Sequence, residues 1–168
     1  MDPKMLSAEE WYTVLEGASA ASGLIMSSDM SGPIGLTKEA SAALEVMRED
    51  RWTSPFISAF HSEVMAATKE RQQEFQKIAQ ARQAELKAQK PTPEQVKEMG
   101  LASIRNAVAL VEDKGGSEAA AEYRQLIWET AQKTAAAGKE GGFLGFGGKP
   151  VSEAEQSALD LIKGALGI

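Results

Sequence analysis

Three times in this chain a hydroxyl residue is followed three positions later by glutamate or glutamine at the head of an apolar pattern. The tetrapeptides are Ser7-Ala8-Glu9-Glu10, Thr92-Pro93-Glu94-Gln95 and Ser152-Glu153-Ala154-Glu155. In such a capping box the hydroxyl oxygen accepts from the amide three residues on, and the longer side chain reaches back to the cap amide. Ser54-Pro55 adds a fourth start, with proline at the first helical position, where its missing N–H does no harm. Apolar residues then recur at helical spacing: Trp11, Val14, Leu15, Ala18 and Ala21; Ala40, Ala43, Leu44 and Met47 behind Thr37. Val96, Met99, Ile104, Ala107, Val108 and Val111 follow Thr92. Tyr123, Leu126, Ile127, Thr130 and Ala131 come after Gly115-Gly116 and a Ser117 cap, and Leu159, Ile162 and Leu166 after Ser152. The β-branched residues are scattered rather than alternating, which excludes a sheet. The expectation is one all-α domain over 1–168, a bundle of about six helices.

Between Pro55 and Pro91 no helix breaker occurs, so the sequence predicts one long central helix, paired with the helix that follows it over 55–114. Unbroken from Pro55 to Lys90 it would be about 54 Å long, against a diameter of about 40 Å for a compact domain of this size. Its second half carries a thin apolar stripe, Phe75, Ile78, Ala79 and Leu86, amid charges and glutamines. A projecting helix with such a stripe suits a helix–helix seam, so a homodimer is expected with Phe75, Ile78 and Leu86 at the interface. The alternative is a break near Lys69 to Gln73 and a fold-back within one chain.

The two ends of the chain look alike. Glu10-Trp11 with Val14-Leu15 parallels Glu122-Tyr123 with Leu126-Ile127, and Thr37 to Met47 aligns without gaps to Ser152 to Ile162. Gly32-Pro33-Ile34-Gly35-Leu36 parallels Gly142-Phe143-Leu144-Gly145-Phe146. A pseudo-repeated helix–glycine loop–helix unit, over 8–50 and 118–167, is the reading. At these residues the chain resembles small uncharacterised bacterial helical proteins: Gly138 to Gly148 with Val151 to Gln156 looks like their C-terminal end. Asp29-Met30-Ser31-Gly32, Gly35-Leu36 and Glu39 look like their N-terminal loop. The arrangement is also distantly similar to the tellurite-resistance TerB-like group, all-helical and pseudo-duplicated with acidic residues in or beside the loops. That resemblance implies an acidic metal-responsive protein using Asp29, Glu39, Glu140 and Glu155.

The residues themselves argue against most chemistries. The 168 residues contain no cysteine, hence no thiolate site or cysteine nucleophile, and one histidine, His61, with no second imidazole for a metal pair and no nucleophile elbow. The stretch Ser27 to Lys38 resembles a calcium loop at its first, third, fifth and sixth positions but has lysine at the twelfth, where a bidentate carboxylate is required. Phe143 to Pro150 fails as a phosphate loop: the first glycine is missing and proline replaces the hydroxyl. Phe143, Leu144 and Phe146 either tuck under the bundle or form a partner-binding tip.

A net charge of −6 argues against nucleic acid, although Thr68 to Lys90 is mildly basic. No apolar run reaches bilayer length, and Met1-Asp2-Pro3-Lys4 leads straight into a polar helix start rather than a signal sequence, so a cytoplasmic location is expected. The expectation is a non-enzymatic helical interaction or scaffold protein, self-associating or bound to an unknown protein partner, without cofactor.

Overall fold

The computed structural model describes residues 6–28, 33–49, 51–137 and 151–168, with 33–36 described as backbone alone. Among them are six α-helices and one π-helical turn, with no strand. They are α1 (Ala8–Ser28), α2 (Pro33–Arg48), α3 (Pro55–Phe60) running into a π-turn (His61–Met65), α4 (Lys69–Gln89), α5 (Pro93–Ala137) and α6 (Glu153–Leu166).

All three capping boxes form. The Glu10 amide donates to Ser7 Oγ at 3.2 Å and the Ser7 amide to Glu10 Oε2 at 2.8 Å. At Thr92 and Gln95 the reciprocal pair measures 2.8 and 3.3 Å, and at Ser152 and Glu155 it measures 2.6 and 3.2 Å. Ser54 caps α3 by accepting from the Ile57 amide, with Pro55 behind it.

α5 is two limbs rather than one rod. Gly116 lies inside it at φ 86°, ψ 177°, a conformation open to glycine and strained for other residues. In a straight helix Ala107 and Tyr123 would lie about 24 Å apart. A Cβ placed on Gly17 of α1 would nevertheless sit 2.3 Å from the Ala107 Cβ and 2.9 Å from the Tyr123 hydroxyl. Arg124 also reaches back to Glu112 at 2.8 Å across the break. The limbs, 93–115 and 117–137, therefore fold into a hairpin with α1 packed against both. Gly115 is the tight point: a Cβ there would meet the Phe56 ring at 2.7 Å and the Ala119 Cβ at 2.8 Å.

Around this centre, α2 and α3 pack on α5, α6 packs on α5 and α1, and α4 packs on α1. The core holds Trp11, Val14, Ile25, Phe56, Phe60, Ile104, Tyr123, Leu126, Ile127 and Ile162, all essentially without solvent contact. The Trp11 and Phe56 ring centroids are 5.3 Å apart, and the buried Tyr123 hydroxyl donates to the Val14 carbonyl at 2.5 Å. Burial pushes the Tyr123 phenol up, so it stays a donor at every physiological pH. The second limb also clamps the α2–α3 connection. Thr53 donates its amide (3.1 Å) and hydroxyl (2.7 Å), and Ser54 its amide (2.9 Å), to the Glu122 carboxylate. Arg51 pairs with Glu129, and Lys133 with Glu49 at 2.9 Å.

The structure corrects the expected helix from Pro55 to Lys90. The chain leaves helical geometry after the π-turn, where the Ala66 amide bonds to the His61 carbonyl, and Thr68 then caps a new helix by accepting from the Arg71 amide. The break lets the stripe of α4 return onto α1. Phe75 is buried with its ring 6.0 Å from Tyr12, Ile78 is half-buried against the core, and Arg82 pairs with Glu9 and Glu16 over the Tyr12 ring. Leu86 is half-buried but not part of that packing. The dimer seam was inferred from an unbroken helix, which the break before Lys69 replaces, and Phe75 packs against Tyr12 of its own chain.

Three smaller corrections follow. α2 begins at Pro33 rather than Thr37, so all but positions 29–32 of the calcium-like stretch lie in α1 or α2. Leu44 faces outward while Val46 and Met47 are buried. Val96 and Met99, read as inward-facing, are 46% and 41% exposed. No helix among the described residues is long and apolar enough to cross a membrane.

Candidate functional site

The exposure of Val96 marks the feature that sequence reasoning missed. The last two turns of α1, the first two of α5 and the first two of α6 enclose an open groove of about 730 Å³. Small residues line much of it: Ala20 and Gly23 from α1, Gly100 from α5, Ala154 and Ala158 from α6. Leu24, Val96, Leu101 and Leu161 are its bulky apolar members, and Leu161 is 42% exposed. Cavities of this volume with mostly apolar walls are where ligands and partner side chains bind.

The groove lies where the C-terminal end of α1 meets the N-terminal ends of α5 and α6. Gly100 packs against Leu24, while Gly17 packs against Ala107 and the Ser103 carbonyl, so α1 runs opposite to the first limb of α5. The last turn of α6 lies beside Arg124 and Trp128, with Lys163 Nζ 6.0 Å from the Trp128 ring centroid. That region neighbours Tyr123 and hence Val14, so α6 also runs opposite to α1. Each wall contributes about eight residues, giving a trough about 12 Å long, or two helical turns. One end holds Ser27 and Ser28 of α1 beside the first residues of α5 and α6, Pro93, Glu94 and Ala154.

The groove lining carries one acid and one base. Glu94 pairs with Lys97 at 2.8 Å. Glu153 and Asp160 are exposed on α6 but are not lining residues, Asp160 accepting from Gln156 at 3.0 Å.

The residues picked out from the sequence fall elsewhere. Asp29, Glu140, Phe143, Leu144 and Phe146 lie outside the described residues. Glu39 is fully buried, and neither carboxylate oxygen has a hydrogen-bond partner among the described residues. Glu155 is also buried and serves as the reciprocal half of the α6 capping box. No group of three or more histidine, cysteine, aspartate or glutamate side chains suited to a metal ion occurs among the described residues. His61 sits in the π-turn with its ring 6.0 Å from that of Phe60. Trp11 and Trp52 are buried as core anchors, whereas Trp128 is half-buried under Lys163.

Comparison with protein-family models, with curated proteins and with solved structures gives no match. The class defined by the described residues is an all-helical bundle with an open apolar groove between three helix ends.

Proposed function

We propose that this chain is a non-enzymatic cytoplasmic interaction protein whose α1–α5–α6 groove holds an amphipathic helix of a partner. The observation that carries the reading is the groove itself: apolar walls, with Val96 and Leu161 nearly half exposed on two of its three sides. Exposed apolar side chains grouped around a concavity favour an occupant, whereas singly scattered ones do not. The small residues let a helix backbone approach closely, and Leu24, Val96 and Leu161 fit between its side chains. Two turns of groove accept three anchors, at i, i+4 and i+7.

The test is fluorescence anisotropy with a labelled 14-residue amphipathic peptide bearing leucine at those three positions. Saturable binding is expected, weakened about tenfold or more by Leu161→Asp or Val96→Asp. Equal binding by the wild type and both variants would refute the reading.

Glu39 favours a second reading, the acidic metal-responsive protein. A carboxylate buried without hydrogen bonds is costly, and a bound cation is one arrangement that offsets it. Asp29, Glu140 and Glu155 would be the further ligands. Calorimetric titration with calcium, magnesium and zinc, repeated on Glu39→Gln, tests this. Heat of binding unaffected by the substitution, or absent altogether, rejects Glu39 as a ligand.

A further inference from the structure

We propose that this chain forms an exchanged dimer, in which α1, α2 and α3 of one copy pack on α4, α5 and α6 of a second. Such an exchange does not depend on what fills the groove, yet it makes each groove composite.

The bend at 66–68 is the hinge. Ala66, Ala67 and Thr68 alone separate α3 and its π-turn from α4, and no glycine or proline occurs from Phe56 to Lys90. Ala66 (φ −109°, ψ 27°) and Thr68 (φ −62°, ψ 165°) leave helical geometry, although alanine favours a helix more than any other residue. What holds the bend is local. The Thr68 hydroxyl accepts from the Arg71 amide at 3.3 Å, the Gln72 side-chain amide donates to the Ala67 carbonyl at 2.9 Å, and Arg71 pairs with Glu63 at 3.3 Å. The core, by contrast, is shared between the two sides of the hinge. α1, α2 and α3 all pack on α5, and α1 packs on α4 and α6 as well. Tyr123 donates to Val14, Glu122 accepts from Thr53 and Ser54, and the Phe75 ring meets Tyr12. Neither side covers its apolar face without the other. A second copy with its hinge straightened offers the same surfaces, and only the bonds at 66–68 are traded for helix continuity. In that dimer Gly23 and Leu24 come from one copy, and Val96 and Leu161 of the same groove from the other.

Refolding from urea at increasing protein concentration, followed by light scattering, tests this, because the two sides exchange only when the shared core opens. A dimer that grows with concentration is expected. Thr68→Ala removes the cap from the bent form of both chains and should raise the dimerisation constant about tenfold or more. Lys69→Pro does the reverse. Lys69 is the first residue of α4, where proline is tolerated, and Thr68 already holds the extended backbone that suits the position before proline. Inside a continuous helix the same proline removes a hydrogen bond and clashes, so the constant should fall about a hundredfold or more while monomer stability is unchanged. Carbodiimide cross-linking of a co-refolded mixture of isotopically light and heavy wild-type chains reads the exchange directly. Lys133 Nζ and Glu49 Oε1, 2.9 Å apart, lie on opposite sides of the hinge. Light-to-heavy Lys133–Glu49 products from the dimer support the exchange. Products joined only within one isotope, or a dimer indifferent to Lys69→Pro, overturn it. A monomer at every concentration, in the wild type and in Thr68→Ala, overturns it as well.

Discussion

Replacing Gly17 by alanine tests the hairpin packing most directly. An added Cβ would lie 2.3 Å from the Ala107 Cβ, 2.9 Å from the Tyr123 hydroxyl and 3.2 Å from the Ser103 carbonyl oxygen. Carbon atoms in contact prefer about 3.5–4.0 Å, so the shortfall at Ala107 exceeds about 1 Å. The Ala107 Cβ is joined directly to a helix backbone, so no rotamer change relieves the clash; α1 and α5 must move apart. Overpacking of this kind costs about 1–3 kcal/mol, while alanine in place of glycine inside a helix returns about 0.5–1 kcal/mol. The expected net loss is about 1–2 kcal/mol, or about 2–8 °C in Tm. Gly23, six residues along the same helix, is the control, because a Cβ there meets nothing within 4 Å. Gly23→Ala should stabilise by about 0.5–1 kcal/mol. Urea denaturation of both variants measures the contrast. If Gly17→Ala gains stability as Gly23→Ala does, α1 is not wedged between the limbs of α5.

Gly116→Ala should lose about 1–3 kcal/mol in the same assay, because an L side chain is strained at φ 86°, ψ 177° although nothing crowds the site. Tyr123→Phe removes the hydroxyl donating to Val14 and should cost about 1 kcal/mol. Burial raises the Glu122 carboxyl, but the hydrogen bonds from Thr53 and Ser54 outweigh it and hold the group below the ordinary glutamate range. Its contribution is therefore complete above that range and lost as pH falls through the depressed folded value. Acid titration of stability should be shallower in Glu122→Gln than in the wild type. Arg82→Ala should raise hydrogen exchange across 69–89 about two- to fivefold without changing the rate at 101–111, since ion pairs to Glu9 and Glu16 help hold α4 to α1.

The helix starts were legible because capping chemistry is local: Ser7, Ser54, Thr92 and Ser152 need only residues within three positions of themselves. The stop at Gly115-Gly116 was equally plain, since Gly116 takes a backbone conformation that glycine favours. Thr68 was missed although it caps α4 in the same manner. Its third successor is Arg71 rather than glutamate, and no glycine or proline accompanies the break. The groove was illegible for a different reason. Val96 and Met99 stand at helical spacing with Ile104 and Ala107, and periodicity alone does not separate a face that meets another helix from one that runs past the end of its neighbours. The exposure of Val96 is set by where α1 and α6 end, which is a tertiary fact.

The wedge position of α1 has a consequence for synthesis. The tyrosine that caps Val14 and the limb that covers this face leave the ribosome more than a hundred residues after Trp11 and Val14. At about 5–20 residues per second, α1 waits on the order of ten seconds without the surface it was shaped to meet. Such a helix is made well before it is covered. The nascent chain thus carries an apolar face until the second limb of α5 has been made, and the return of the hairpin, rather than the formation of any single helix, is what covers it.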